Sequence, residues 1–136
     1  MKINNLEVLN LYMGLNIIAK EKLPIMLSFQ IESIRNYLES FAKTVDRMIL
    51  EIKKRHAAID PITKEFVLAK SESGQVMPDT LVLESPEKAN EEIEEFLKQE
   101  LEVPDVDLRL SYFPSDFRIS ADNLKLIRRI IKIWFH

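Results

Sequence analysis

The chain predicts an α+β fold that is mainly helical: one long central helix, two or three shorter helices and a small antiparallel β element. Three observations carry this. Leu27, Ile31, Ile34, Leu38, Phe41, Val45, Met48 and Ile52 recur alternately four and three residues apart, and neither Gly nor Pro interrupts residues 25–60. Such a repeat keeps one narrow stripe of a helix facing a single partner. Over residues 62–84 the pattern changes to short β-prone runs around a turn. The composition, 46% hydrophobic and 30% charged over 136 residues, is that of a globular chain long enough to bury one core.

The elements follow in order. Asn5 is read as the cap of a first helix ending about Lys22, with Leu6, Leu9, Met13 and Ile17 on its apolar stripe. Pro24 disfavours a helical Leu23 and suits the first turn of the next helix. That helix carries the heptad seam and is expected to end near Ala58, where Lys53, Lys54, Arg55 and His56 oppose the negative end of its dipole. Phe66-Val67-Leu68 and Leu81-Val82-Leu83 flank Ser71-Glu72-Ser73-Gly74 and read as a hairpin with a long loop. Ser85-Pro86-Glu87 has the cap, proline and acid of a helix start, and Ala89, Ile93, Phe96 and Leu97 give that helix, expected to run to about Leu101, its apolar face. Val106, Leu108, Leu110 and Tyr112 alternate with polar residues, the period of a half-buried strand. Ser120 caps a last helix expected to reach the C-terminus, with Leu124, Ile127, Ile131 and Trp134 spaced as one stripe. No repeat or linker divides the chain, so residues 1–136 read as a single domain: a helical hairpin over 1–60, a β-hairpin over 62–84 and a helix–strand–helix over 85–136.

Chemistry is much less legible than architecture. With two glycines, Gly14 and Gly74, neither a dinucleotide-binding fingerprint nor a phosphate-binding loop can be written. The chain has no cysteine, which removes disulfides, thiol nucleophiles and thiolate metal sites. His56 lies among Lys53, Lys54 and Arg55, a poor setting for a neutral base. The acids Glu91, Glu92, Glu94 and Glu95 have the spacing of a solvated helix face rather than of metal ligands. The reading is therefore of a non-enzymatic protein with no catalytic, metal or cofactor-binding residue and no cofactor. A net charge of −3 argues against general nucleic-acid binding. No apolar run is long enough to span a bilayer, and the first residues lack a signal-peptide layout.

Surplus apolar surface is the remaining signal. A helix of about 35 residues is about 50 Å long, more than two short helices can cover. The seam is covered either within the chain or by a second chain, and the stretch from Met48 through Ile52 to Ile59 is the part expected to stay open. In the last helix Lys125, Arg128, Arg129 and Lys132 share a face at 0, +3, +4 and +7, and Trp134-Phe135 tips the apolar remainder. This is the pattern of a membrane-surface or partner-docking helix, against which stands a closing core helix with a solvated basic stripe, the more usual meaning of such a charge run; a partner protein lies between the two. Met48, Ile52, Ile59, Lys125, Arg128, Arg129, Lys132, Trp134 and Phe135 are accordingly the interface candidates.

The order of segments also resembles a family of small tailed-phage and prophage proteins, a domain of unknown function. The residues concerned are Leu9-Asn10, Leu15-Asn16, Ile18-Ala19, Lys22-Leu23-Pro24 and Leu27-Ser28-Phe29, then Glu94-Glu95-Phe96-Leu97, Glu100-Leu101-Glu102-Val103 and Ile119-Ser120. Residues 61–84 and the basic, aromatic-tipped C-terminus depart from that pattern. The resemblance implies a phage-encoded, non-enzymatic protein; joined to the surplus apolar surface, the reading is a phage-type interaction or assembly protein in the host cytoplasm or the virion, self-associating as a dimer or higher and binding other proteins, virion components among them. The resemblance carries over no functional residue. The alternative is a small regulator docking on a host or viral enzyme through its basic C-terminal helix.

Overall fold

A computed structural model describes residues 1–132. In chain order the elements are β1 (Lys2–Asn4), α1 (Asn5–Ile18), α2 (Ile25–Arg55), β2 (Leu68–Lys70), β3 (Val76–Leu81), α3 (Pro86–Lys98), β4 (Glu100–Glu102), β5 (Leu108–Arg109), α4 (Ala121–Ile127) and β6 (Ile131–Lys132). The fold is α+β with one long helix, as the sequence predicts. Two compact units share it: Met1–Val45 with the chain from Lys98 onward, and Asp46–Leu97.

In the first unit, Asn4 caps α1, not Asn5. The Asn4 side chain accepts a hydrogen bond from the Glu7 amide at 2.8 Å, and the Glu7 carboxylate accepts one from the Asn4 amide at 3.2 Å, a reciprocal capping box. Asn5 lies inside the helix, where its amide donates to the Gln99 carbonyl at 3.1 Å. The helix stops at Ile18, short of Lys22, and its buried stripe is Val8, Leu11, Leu15 and Ile18, while Leu6 and Met13 are exposed. Periodicity misleads here because α1 is apolar on nearly every face, so several stripes satisfy the same spacing. Gly14 decides among them. It lies on the Leu11–Leu15–Ile18 face, and a Cβ there would stand 2.5 Å from Ile127 Cγ2 and 2.9 Å from Leu126 Cβ, so only glycine lets α4 approach this closely.

From Leu27 to Leu38 the heptad seam is covered within the chain, whereas Met48 farther along it is exposed. Leu27, Ile31, Ile34, Leu38 and Ala42 of α2 share one buried cluster with Val8, Leu11, Leu15 and Ile18 of α1, and with Ile3, Val103, Leu108, Ile127 and Ile130. Each of the Leu, Ile and Val side chains contributes about 1.5–3 kcal/mol through burial. The seam drifts at Phe41, which is half-buried while Ala42 beside it is buried. An ideal straight helix turns slightly away from a strict 7-residue repeat, and α2 has no second long helix to supercoil it.

Three expectations change in this unit. The helix expected to run to about Leu101 ends at Lys98, and Glu100–Glu102 instead form β4, which pairs antiparallel with β1, Ile3 opposite Leu101, a pairing that three-residue strands are too short to announce. The strand expected over 106–112 survives only as Leu108–Arg109, because its partner β6 is equally short. Beyond it Leu110–Tyr112 turn as a 3-10 helix, and Leu110 faces solvent. The last helix does not run on. α4 ends at Ile127, Arg128–Ile130 tighten into a 3-10 turn, and Ile131–Lys132 extend as β6, parallel to β5. That change of direction buries both Ile127 and Ile130 while supplying the backbone partners that β5 needs.

The second unit is built on residues 46–55 of α2, the β2–β3 hairpin and α3. α2 ends at Arg55 rather than near Ala58, since residues 57–59 are extended. They bridge Ala57 to Leu83 and Ile59 to Phe66, both antiparallel. Ala58, Val67 and Val82 close a ring of backbone hydrogen bonds: Ala58 donates to Val82, Val82 to Val67 and Val67 to Ala58, at 2.8–2.9 Å. The hairpin turn falls where expected, with Gly74 at φ +86, a left-handed conformation that favours glycine, but its loop is short: the strands lie at Leu68–Lys70 and Val76–Leu81 rather than at 66–68 and 81–83, with Lys70 opposite Val76. Ile52, Ala57 and Ala89 are buried.

Candidate functional site

At the start of α2, burial of Leu27, Ile31 and Ile34 turns the opposite face outward. A helix advances about 100° per residue, so Ile25 and Phe29 lie across the axis from Leu27, with Met26 beside them. They are 84% (Ile25), 62% (Met26) and 72% (Phe29) exposed, a contiguous apolar patch of large side chains. Beside it runs a groove of about 380 Å³ between α2 and the segment before β5. Its apolar walls are Met26, Phe29, Ile34, Val106 and Tyr112, and its polar lining is Gln30, Ser33, Asp105 and Asp107. The Oε1 of Gln30 is buried without a hydrogen-bond partner among the described residues. Asp105 meets the Met1 amino group at 3.0 Å, and the Arg109 guanidinium lies 5.8 Å from the Tyr112 ring centroid.

A second cleft of the same unit, about 390 Å³, is lined by Phe113, Phe117, Ile119, Leu124, Ile127 and Ile131 among others. The Phe113 and Phe117 rings hold its wall, with centroids 5.1 Å apart.

In the second unit a tight turn displays another apolar side chain. The Asp60 carboxylate accepts hydrogen bonds from the amides of Ile62 and Thr63 at 2.8 and 3.2 Å, and the Lys64 amide returns to the Asp60 carbonyl at 2.8 Å. Lys64 takes a positive φ of 60 to close the turn. Ile62 is left almost wholly in solvent, with Ile59 and Phe66 exposed nearby.

The interface residues read from the sequence are scattered by these facts. Met48 and Ile59 are exposed, but Ile52 is buried in the second unit. Lys125 and Arg128 are exposed. Arg129 is committed to its own chain, donating to the Glu7 carboxylate at 3.2 Å and to the Lys2 carbonyl at 2.8 Å. The four basic residues form no single helical face, because the helix that would align them ends at Ile127. The Lys132 side chain, Trp134 and Phe135 lie outside the described residues. Ile25, Met26, Phe29 and Ile62 went unrecognised. For the first three a signal existed: apolar residues on the helix face opposite the seam.

The titratable groups form surface pairs. Glu92 bridges the end of α2 to α3, meeting Arg55 at 3.1 Å and His56 Nε2 at 3.2 Å. The Lys43 amine is held above its ordinary value of 10.5 by its hydrogen bond to the Glu39 carboxylate and then by that carboxylate's charge. Among the described residues no group of three or more His, Asp or Glu side chains is placed to hold a metal ion, and no helix is long and apolar enough to cross a membrane. No protein-family model, curated protein or solved structure matches the chain.

Proposed function

We propose that this protein works without catalysis, as an interaction and assembly protein that presents apolar helical surface to other proteins and to further copies of itself. The observation that carries the reading is the Ile25–Met26–Phe29 patch. Large apolar side chains grouped in the open, beside a groove, are the usual mark of a protein–protein contact. Isolated exposed apolar residues would mean nothing, but these three share one face and the groove continues them inward. A phage-type assembly role is the form of this reading that the quoted sequence resemblance favours. The docking-helix alternative loses support, because the basic stretch is broken up by its own fold.

Position-specific photocrosslinking tests it. A photoreactive residue in place of Phe29 should form an adduct with a polypeptide, its own kind or another, that the same group in place of exposed Lys125 on α4 does not form. Equal labelling at the two positions, or none at either, overturns the proposal. Light scattering over a wide concentration range tests self-association in parallel, and a constant monomer mass removes that part of it.

A further inference from the structure

Phe29 and Arg47 lie eighteen residues apart on α2, a single unbroken helix from Ile25 to Arg55. Eighteen residues are five helical turns, so the two side chains stand on one line along the helix. Leu38 is midway, half a turn round from both, and fully buried, so that line is the one opposite the core. Between them Ser33, Asn36, Ser40 and Lys43 continue the line at alternate steps of four and three, and all are exposed. The stripe has the same character read from either end. Beyond Phe29 stand exposed Ile25 and Met26, and beyond Arg47 stands exposed Leu50. Its middle is small and polar. The Ser33 hydroxyl donates to the Phe29 carbonyl at 3.0 Å and the Thr44 hydroxyl to the Ser40 carbonyl at 2.9 Å, so both are satisfied by their own helix and leave room for close approach. Lys43 is paired with Glu39 at 3.0 Å, and Glu51, one turn beyond Arg47, with Lys54 at 3.7 Å. Arg47 is exposed and makes no ion pair among the described residues.

We propose that a second copy of this chain covers the outer face of α2, the two helices running antiparallel about a two-fold axis at the level of Leu38. In that register Arg47 of each copy lies over the Phe29 ring of the other, a cation–π contact. Leu50 meets Ile25 and Asn36 meets Ser40, each twice. A two-fold contact needs a surface complementary to its own reverse, and this stripe is one: apolar end on apolar end, cation on aromatic face. The polar centre fixes the register, as a buried Asn does in a coiled coil. A partner of unrelated sequence has no reason to match that symmetry. The proposal rests on the interaction reading and names its partner and register.

Cysteine linking reads the register, because the chain has no cysteine of its own. Ser33→Cys in one copy faces Thr44→Cys in the other across the two-fold. Two copies of either variant alone hold their thiols at least about 15 Å apart along the helices, at 1.5 Å per residue, beyond the reach of a disulfide. An oxidised equimolar mixture should therefore give the mixed dimer, and neither variant alone should link. Light scattering of the full chain should show a dimer that dissociates on dilution. Phe29→Asp should leave it monomeric with an unchanged circular dichroism spectrum. Arg47→Gln should weaken association about 5–30-fold, the value of two exposed cation–π contacts. Linking within one variant, no mixed dimer, or a dimer indifferent to Arg47→Gln overturns the proposal. A monomer mass at every concentration, with a photocrosslink from position 29 to a different protein, would overturn the second copy while leaving the interaction reading standing. No crosslink at all would remove both.

Discussion

Replacing Gly14 with alanine puts two opposed effects on one atom. In an exposed helix interior the change would stabilise by about 1 kcal/mol, because glycine surrenders more backbone freedom on folding. Here the new Cβ would stand 2.5 Å from Ile127 Cγ2 and 2.9 Å from Leu126 Cβ. Both are far inside ordinary contact, and the Leu126 Cβ is fixed to its backbone and cannot swing aside. α1 and α4 must therefore separate, opening the buried cluster around Leu11, Leu15 and Ile127. Overpacking of this kind typically costs about 1–3 kcal/mol, so the net effect is a loss of up to about 2 kcal/mol. Urea denaturation followed by far-UV circular dichroism reads it as a lower midpoint at unchanged slope. Ile127→Ala separates clash from propensity: alone it should cost about 2–5 kcal/mol as a buried deletion, yet combined with Gly14→Ala it should cost at least 0.5 kcal/mol less than the sum. A raised midpoint for Gly14→Ala, or strict additivity of the pair, refutes the close approach of α1 and α4.

Leu38→Asp puts a charge into the fully buried seam and should lower stability by more than about 4 kcal/mol, whereas Phe29→Asp on the same helix should stay within about 0.5 kcal/mol. Thermal melts that fail to separate the two would contradict the burial of the seam. Asn4→Ala breaks the capping box and should cost about 1 kcal/mol, while Asn4→Asp keeps an acceptor and should be nearly silent; equal losses for both would show that the cap contributes little. Gln30→Leu removes a buried acceptor that has no partner and should raise the urea midpoint, equivalent to about 1 kcal/mol. A lowered midpoint would mean that the oxygen is satisfied in solution.

Much of the fold was written locally in the chain. The α2 seam, the Gly74 turn, the Ser85-Pro86-Glu87 helix start and the Ser120 cap each depend on residues within a turn or two of one another, so their chemistry is readable from spacing. Exclusions were legible for the same reason: without cysteine and with two glycines, whole classes of site cannot be written. The candidate groove was not legible, because Phe29 and Asp105 are brought together only by the packing of α2 against the segment that follows β4.

What tertiary structure alone decided were the choices that local spacing leaves degenerate. α1 is apolar nearly all round, and the face it buries was settled by where α4 crosses Gly14. The stretch from Lys125 to Lys132 reads equally well as a basic amphipathic helix. It became a turn and a strand because Leu108–Arg109, far away in sequence, needed a backbone partner and the core needed both Ile127 and Ile130. Periodicity reports which side chains can share a face; only the surfaces already present on the rest of the chain determine which face is buried and which remains for a partner.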